Sequence, residues 1–348
     1  MKKKVFFNGS KAVAEGSIYA GCRYYYSTPK PINNEIIEYM SYRMPEVNGV
    51  FVQSENEKSV IGMVIGSSVA GQRVMTSSTT EGISSMLEGI NYMSAMELPS
   101  VVISIMYGRN GIINYEQGQY GYADFIKSSS HINNKFIVFA PYSAQSAYDL
   151  TIKASELADK YRNPVVILLD VYLAVKGECI EIFQELLHPD SIDEKDWKLN
   201  GAKNREPLIY KNFYGEDLTK YKAIMKKIKL METEEIYEEF HTEDAEELVV
   251  AFGSFSENIK GYINELREKG RKIGLFVPVS LSPFPRNRLI ELAEKVKKIT
   301  VTEVNTGFMY SDIINIVRYK TELDFIGETE DIVGFREVLK EFAKRYEI

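Results

Sequence analysis

Cysteine is nearly missing from this sequence: 348 residues contain two, Cys22 and Cys179. A four-thiolate zinc or iron–sulfur site cannot be built from this chain alone, so any electron-transfer cluster has to sit on a partner. Both thiols read as small buried hydrophobes, given the context AGC and the usual burial of free cysteine. Histidine is almost as scarce. His131, His188 and His241 are far apart and show no paired ligand spacing, so no metal site is expected from this chain alone. Long apolar runs are absent too. The longest, PVVILLDVYLAV from Pro164, falls short of the roughly 18 residues that suggest a membrane span. The N-terminus MKKKVFFNGS has a basic start without an apolar signal region, which points to the cytoplasm. With a net charge of −7 and no basic stripe interleaved with aromatics, nucleic acid is not an expected partner. Basic runs such as KKIK from Lys226 read as solvated helix faces.

What is present is a chain with 45% hydrophobic residues, long enough for two cores. Short apolar strands alternate with amphipathic helices through the first half. KVFFNG, GVFVQ, QRVMTSS, SVVISIMYG, FIVFAPYS and PVVILLD read as strands, and AVAEGSIYAG and SAYDLTIKASELADKY as helices between them. That alternation is the mark of a largely parallel, doubly wound α/β sheet with helices on both faces. A charged and aromatic stretch follows, then a periodic helix over TKYKAIMKKIKLMETEEIYEEF. This region reads as a connector and not a core. ELVVAFGS opens a second α/β unit, continued by ENIKGYINELREKG, KIGLFVPVS, RNRLIELAEKV, KITVTEV and GFREVLKEFAKRY. The expected division is a first domain over residues 1–183, a linker over 184–245 and a second domain over 246–348.

Chemistry concentrates at VQSENEKSVIGMVIGSSVAG. A strand ends at Gln53 and a helix opens near Glu57, with Val60, Ile61, Val64 and Ile65 on its apolar side and Gly62 and Gly66 allowing close packing. The carboxyl end of a strand is where open α/β sheets bind ligands. A glutamate there is also favoured by the helix N-terminus for purely electrostatic reasons, and the residues alone leave both readings open.

The run NEKSVIGMVIG resembles the pyrimidine-binding segment of thiamine-diphosphate enzymes. AVAEGSIYAGCR, NEIIEYMSYRMPEVNGVFVQ, VMTSSTTEGIS, ASELADKYRNPVVIL, HTEDAEELVVAFG and PVSLSPFP resemble, in order, the alpha-type subunits of 2-oxoacid:ferredoxin oxidoreductases, closest to the branched-chain (2-ketoisovalerate) kind. The resemblance runs nearly end to end. It implies a pyrimidine-binding domain followed by a transketolase C-terminal-like domain, with Glu57 as the catalytic residue. In that family the glutamate hydrogen-bonds a ring nitrogen of the aminopyrimidine, and the cofactor serves as the electron sink for decarboxylation of a 2-oxo acid. Pro29 falls in the cofactor-binding turn. No GDG segment with an Asn-containing metal loop is found, so the resemblance implies a thiamine diphosphate shared with a beta-type subunit. That subunit would carry Mg²⁺ and iron–sulfur clusters, alongside a gamma-type subunit, ferredoxin as electron acceptor and coenzyme A as co-substrate. Self-association within a larger assembly is compatible with this, and membrane association is not expected.

The sequence departs from the family on its substrate side. The threonine of the family's YPITP segment is matched to Pro31, which predicts loss of a hydroxyl. Tyr107 stands where an arginine pairs with the substrate carboxylate, and Arg109, beside Asn110, is the residue that could reach the same place. Lys11 replaces a usual glutamate. Tyr107 and Tyr115 equally suit plain aromatic packing. Three functions follow: oxidative decarboxylation of a branched-chain 2-oxo acid to acyl-CoA; a diverged thiamine enzyme acting on another acid or without oxidation; and a non-catalytic scaffold subunit.

Overall fold

Continuous β-branched runs that alternate with amphipathic helices can be satisfied only by a sheet covered on both faces. A computed structural model of the chain shows that arrangement twice; it describes residues 2–30, 34–108, 118–127, 135–187, 195–201, 206, 208–210 and 218–348. The first sheet has the order β12-β6-β7-β5-β4-β2-β3. Its strands are β2 (Tyr24–Ser27), β3 (Val50–Gln53), β4 (Val74–Thr79), β5 (Ser100–Met106), β6 (Ile137–Phe139), β7 (Pro164–Asp170) and β12 (Ser280–Ser282). All neighbours are parallel except β12, which runs antiparallel to β6. Every residue of β5 and β7 is buried.

Helices α1 (Gly9–Tyr19), α2 (Asn34–Glu46) and α5 (Ala144–Tyr161) contribute to the core on one face, and α3 (Glu57–Val69) and α4 (Thr80–Ala95) to the core on the other. The α5 start is fixed by a capping box in which Ser143 and Ser146 each satisfy the other's backbone N–H. KVFFNG forms a strand, β1 (Lys2–Asn8), but outside the parallel series. It pairs antiparallel with β8 (Gly177–Phe183), which follows the short α6 (Val171–Val175). On β8, Ile180 and Ile182 point inward while Cys179 is exposed, so only Cys22 is the buried thiol expected for both. Burial pushes the Cys22 thiol up to about 11.

The second sheet, β14-β13-β10-β11-β9, comprises β9 (Tyr237–Phe240), β10 (Glu247–Val250), β11 (Ile273–Pro278), β13 (Lys298–Thr302) and β14 (Glu322–Ile326). It is parallel except for β9. Helices α8 (Phe255–Glu268), α9 (Arg286–Ala293), α10 (Phe308–Val317) and α11 (Phe335–Tyr346) complete this half.

Two expectations for the connecting region change. The periodic helix stops early: α7 (Leu218–Met231) ends before YEEF, which forms β9. The Ile236 N–H donates to the Ser280 hydroxyl, and its carbonyl accepts from Val279 and Ser280, so edge pairing overrides the helical spacing of Ile236 and Phe240. The region is also more than a connector. Ile224, Ile228 and Met231 are buried, and Trp197 stacks beneath the Arg162 guanidinium at 4.9 Å. The two halves are tied together internally: buried Asp170 accepts from the Ser254 N–H and hydroxyl, and the Gln119 amide donates to the Phe252 carbonyl.

Candidate active site

After β3 forms the edge, α3 carries the chain back past β2 to β4, so the winding direction reverses around β2. Such a reversal opens a crevice at the carboxyl ends of the strands. Here that end is lined with small hydroxyl side chains bonded across strands. The Ser27 hydroxyl donates to the Ser77 carbonyl at 2.8 Å and the Thr76 hydroxyl to the Tyr26 carbonyl at 2.8 Å. The Ser54 N–H donates to the Ser27 carbonyl at 2.9 Å, which pins the end of β3 to β2. The result is a fixed floor from which the next residues project.

Glu57 projects over that floor. Asn56 is extended and accepts from the Ser59 N–H at 2.9 Å, which caps α3 and makes Glu57 its first helical residue. One carboxylate oxygen, Oε1, takes two donors from the turn after β2: the Thr28 hydroxyl at 3.1 Å and the Lys30 ammonium at 3.1 Å. Burial pushes the Glu57 carboxyl up, but its own backbone N–H, Lys30 and Thr28 together outweigh this and leave it below the ordinary value. In this state Glu57 is an ionised carboxylate. The N-terminus of α4 approaches from the other side. A Cβ at Gly82 would lie 3.1 Å from Glu57 Oε1 and 1.9 Å from Ser78 Oγ, so only a glycine lets the start of α4 approach these two side chains so closely. The Ser78 hydroxyl beside it is buried without a hydrogen-bond partner.

Of the residues singled out in the sequence, Glu57 and Pro29 come together, Pro29 lying exposed between the two Glu57 donors. Tyr107 is buried just beyond β5. Pro31, Arg109, Asn110 and Tyr115 lie outside the described residues. Thr28, three residues before Pro31, places a hydroxyl on Glu57. Thr28 and Lys30 were the residues sequence reasoning missed. The signal was the polar pair flanking Pro29 directly after YYYS, a run too short to read as a strand. Gly62 and Gly66 also differ from expectation. A Cβ at either would meet nothing within 4 Å, so the close packing they permit is not made within the described chain.

Comparison with known proteins places these features. Residues 15–244 match the family described as pyruvate flavodoxin/ferredoxin oxidoreductase, thiamine diphosphate-binding, and residues 245–332 match pyruvate:ferredoxin oxidoreductase core domain II. The chain is 37% identical to the ketoisovalerate oxidoreductase subunit VorB of Methanothermobacter marburgensis, over 88% of this chain and 87% of that protein. It is 30% identical to the 2-oxoglutarate synthase subunit KorA of Methanocaldococcus jannaschii, over 92% and 94%. Among solved structures, a 2-oxoglutarate:ferredoxin oxidoreductase from Magnetococcus marinus superposes with a TM-score of 0.82 at 21% identity, covering 99% of this chain and 65% of that one. A split-gene transketolase superposes with a TM-score of 0.61 at 14% identity, covering 98% of each. These two likenesses bear on the fold, which is that of thiamine-diphosphate enzymes.

Proposed function

Because this chain belongs to the pyruvate flavodoxin/ferredoxin oxidoreductase family, with the thiamine-diphosphate-binding and core domain II regions in order, we propose that it is one subunit of a hetero-oligomeric 2-oxoacid oxidoreductase. The reaction is oxidative decarboxylation: a 2-oxo acid loses carbon dioxide, coenzyme A accepts the acyl group and ferredoxin accepts the electron pair. A branched-chain acid is the proposed substrate, supported by the similarity to the ketoisovalerate subunit.

One observation carries the reading. Glu57 stands at the sheet's reversal point, with the bare backbone of Gly82 packed close to it and the buried, unpartnered Ser78 hydroxyl at its side. These residues fit the aminopyrimidine half of thiamine diphosphate. Glu57 would meet the ring nitrogen, and Pro29 would lie along the turn that borders it. When bound, the cofactor supplies the electron sink for loss of carbon dioxide. Glu57 has to share a proton with that nitrogen, and the Lys30 ammonium competes with it by stabilising the ionised carboxylate. Covering the crevice removes water from Glu57, and burial, already the strongest influence on it, then favours the protonated form. Thr28 fixes the carboxyl's orientation through its hydroxyl. The diphosphate half, with Mg²⁺ and iron–sulfur clusters, is assigned to a beta-type subunit, accompanied by a gamma-type subunit.

The test is 2-oxoacid-dependent reduction of a low-potential dye, with coenzyme A present, by the co-purified complex carrying Glu57→Gln. Turnover falls by about 10²- to 10⁴-fold, the range for loss of a positioned proton-transfer group. Turnover equal to the parent removes Glu57 from the mechanism.

A further inference from the structure

The Lys30–Glu57 pair creates a conflict that the proposed function does not resolve. The two donors on Glu57 Oε1 differ in kind. Thr28 is buried and short, and its hydroxyl can stay on the carboxyl in either protonation state. Lys30 carries a full charge on a long stem, with its side chain 39% exposed against 14% for Glu57, so it reaches down from the mouth of the crevice. A carboxyl that takes a proton loses its charge, and with it most of its hold on an ammonium. Docking of a pyrimidine ring on Glu57 therefore turns Lys30 out, while its backbone stays anchored two residues from Thr28.

The displaced ammonium then sits at the mouth of a closed site and needs an anion, since an unpaired charge in a desolvated place is costly. The substrate class brings one, since every 2-oxo acid carries a carboxylate next to its reacting carbonyl. We propose that Lys30 is the specificity-determining cation for the substrate carboxylate, parked on Glu57 until the cofactor arrives and then exchanged onto the 2-oxo acid. This rests on the 2-oxoacid oxidoreductase reading above. Such an exchange suits a lysine, because a compact charge on a flexible four-carbon stem can serve two anions in turn, where a planar bidentate fork would favour one fixed partner.

The experiment uses the assembled complex with Lys30→Met, which keeps the stem and removes the charge, and Lys30→Arg, which keeps the charge. Calorimetric titration measures two affinities that do not depend on turnover: for thiamine diphosphate, and, with cofactor bound, for an inert acylphosphonate analogue of the 2-oxo acid. In Lys30→Met the cofactor binds as tightly as in the parent or more tightly, because no ammonium has to be displaced. The analogue binds about tenfold or more weakly, as loss of a charge-assisted contact requires. KM for the 2-oxo acid rises by a similar factor with kcat within about threefold, and Lys30→Arg recovers most of the loss. Analogue affinity and KM unchanged in Lys30→Met would overturn the role of Lys30 while leaving the proposed function intact. A parent complex that binds the analogue Lys30-dependently but turns over no 2-oxo acid would retire the proposed function and leave the role of Lys30 standing. Binding of neither would retire both.

Discussion

Two glutamates stand at two helix N-termini, one in each half of the molecule, and they are held in opposite ways. Glu303 follows β13 and is fully buried at the start of α10. Its Oε2 accepts from the Asn305 amide at 2.8 Å and the Met309 N–H at 3.0 Å, and its Oε1 from the Tyr310 N–H at 2.9 Å. Main-chain donors that cannot move away supply most of its hydrogen bonds. Glu57 instead holds two side-chain donors from a turn, one of them a partly exposed lysine. A carboxylate whose partners are its own backbone is a finished structural element. One whose partners can leave is a site for exchange.

The largest contrast should come from paired glutamine variants. Glu57→Gln removes about 10²- to 10⁴-fold of turnover and leaves the melting temperature of the complex close to the parent's. Glu303→Gln does the reverse. Its amide must aim a donor at N–H groups already aimed at it, which costs about 1–3 kcal/mol of stability, seen as a lower melting temperature with turnover per folded complex retained. If Glu303→Gln lost activity without losing stability, the division between the two glutamates would collapse. A smaller effect belongs to Thr28→Val. Removing its hydroxyl from Glu57 lowers turnover roughly 3- to 10-fold, the scale of a single hydrogen bond.

The smallest effect is in the pH dependence of stability. Burial raises the Glu303 carboxyl from an ordinary 4.5 to about 7. Between those values the folded chain keeps a proton that the unfolded chain releases, so this contribution is greatest below about pH 4.5 and fades as pH climbs to 7. Glu57 is shifted downward, so its contribution is present above the ordinary carboxylate value and is lost as pH falls through its lowered one. Melting temperature against pH should therefore lose its decline between pH 4.5 and 7 in Glu303→Gln and keep it in Glu57→Gln.

The legible parts of the sequence were those where local pattern and tertiary demand agree. Continuous runs such as PVVILLD read as covered strands, and Glu57 was placed by a strand end and a helix start and singled out by the family resemblance. Legibility failed where pairing decides. YYYS is four residues long and becomes β2 only because β3 and β4 flank it. With β2 unread, Thr28 and Lys30 had no strand end to project from. YEEF repeats helical spacing and is a strand because β11 offers an edge. SLS is too short, and too close to Pro283, to announce that it pairs with β6.

That last pairing gives the chain a particular order of completion during synthesis. Ile137, Val138 and Phe139 of β6 are fully buried, and their outer edge is closed by Ser280–Ser282, which leave the ribosome long after the rest of the first sheet. Until then the nascent sheet carries an open apolar edge, the kind of surface on which chains pair with one another. A chain stopped short of residue 280 keeps that edge for good, so the C-terminal half acts as the seal on the N-terminal one as well as a neighbour beside it.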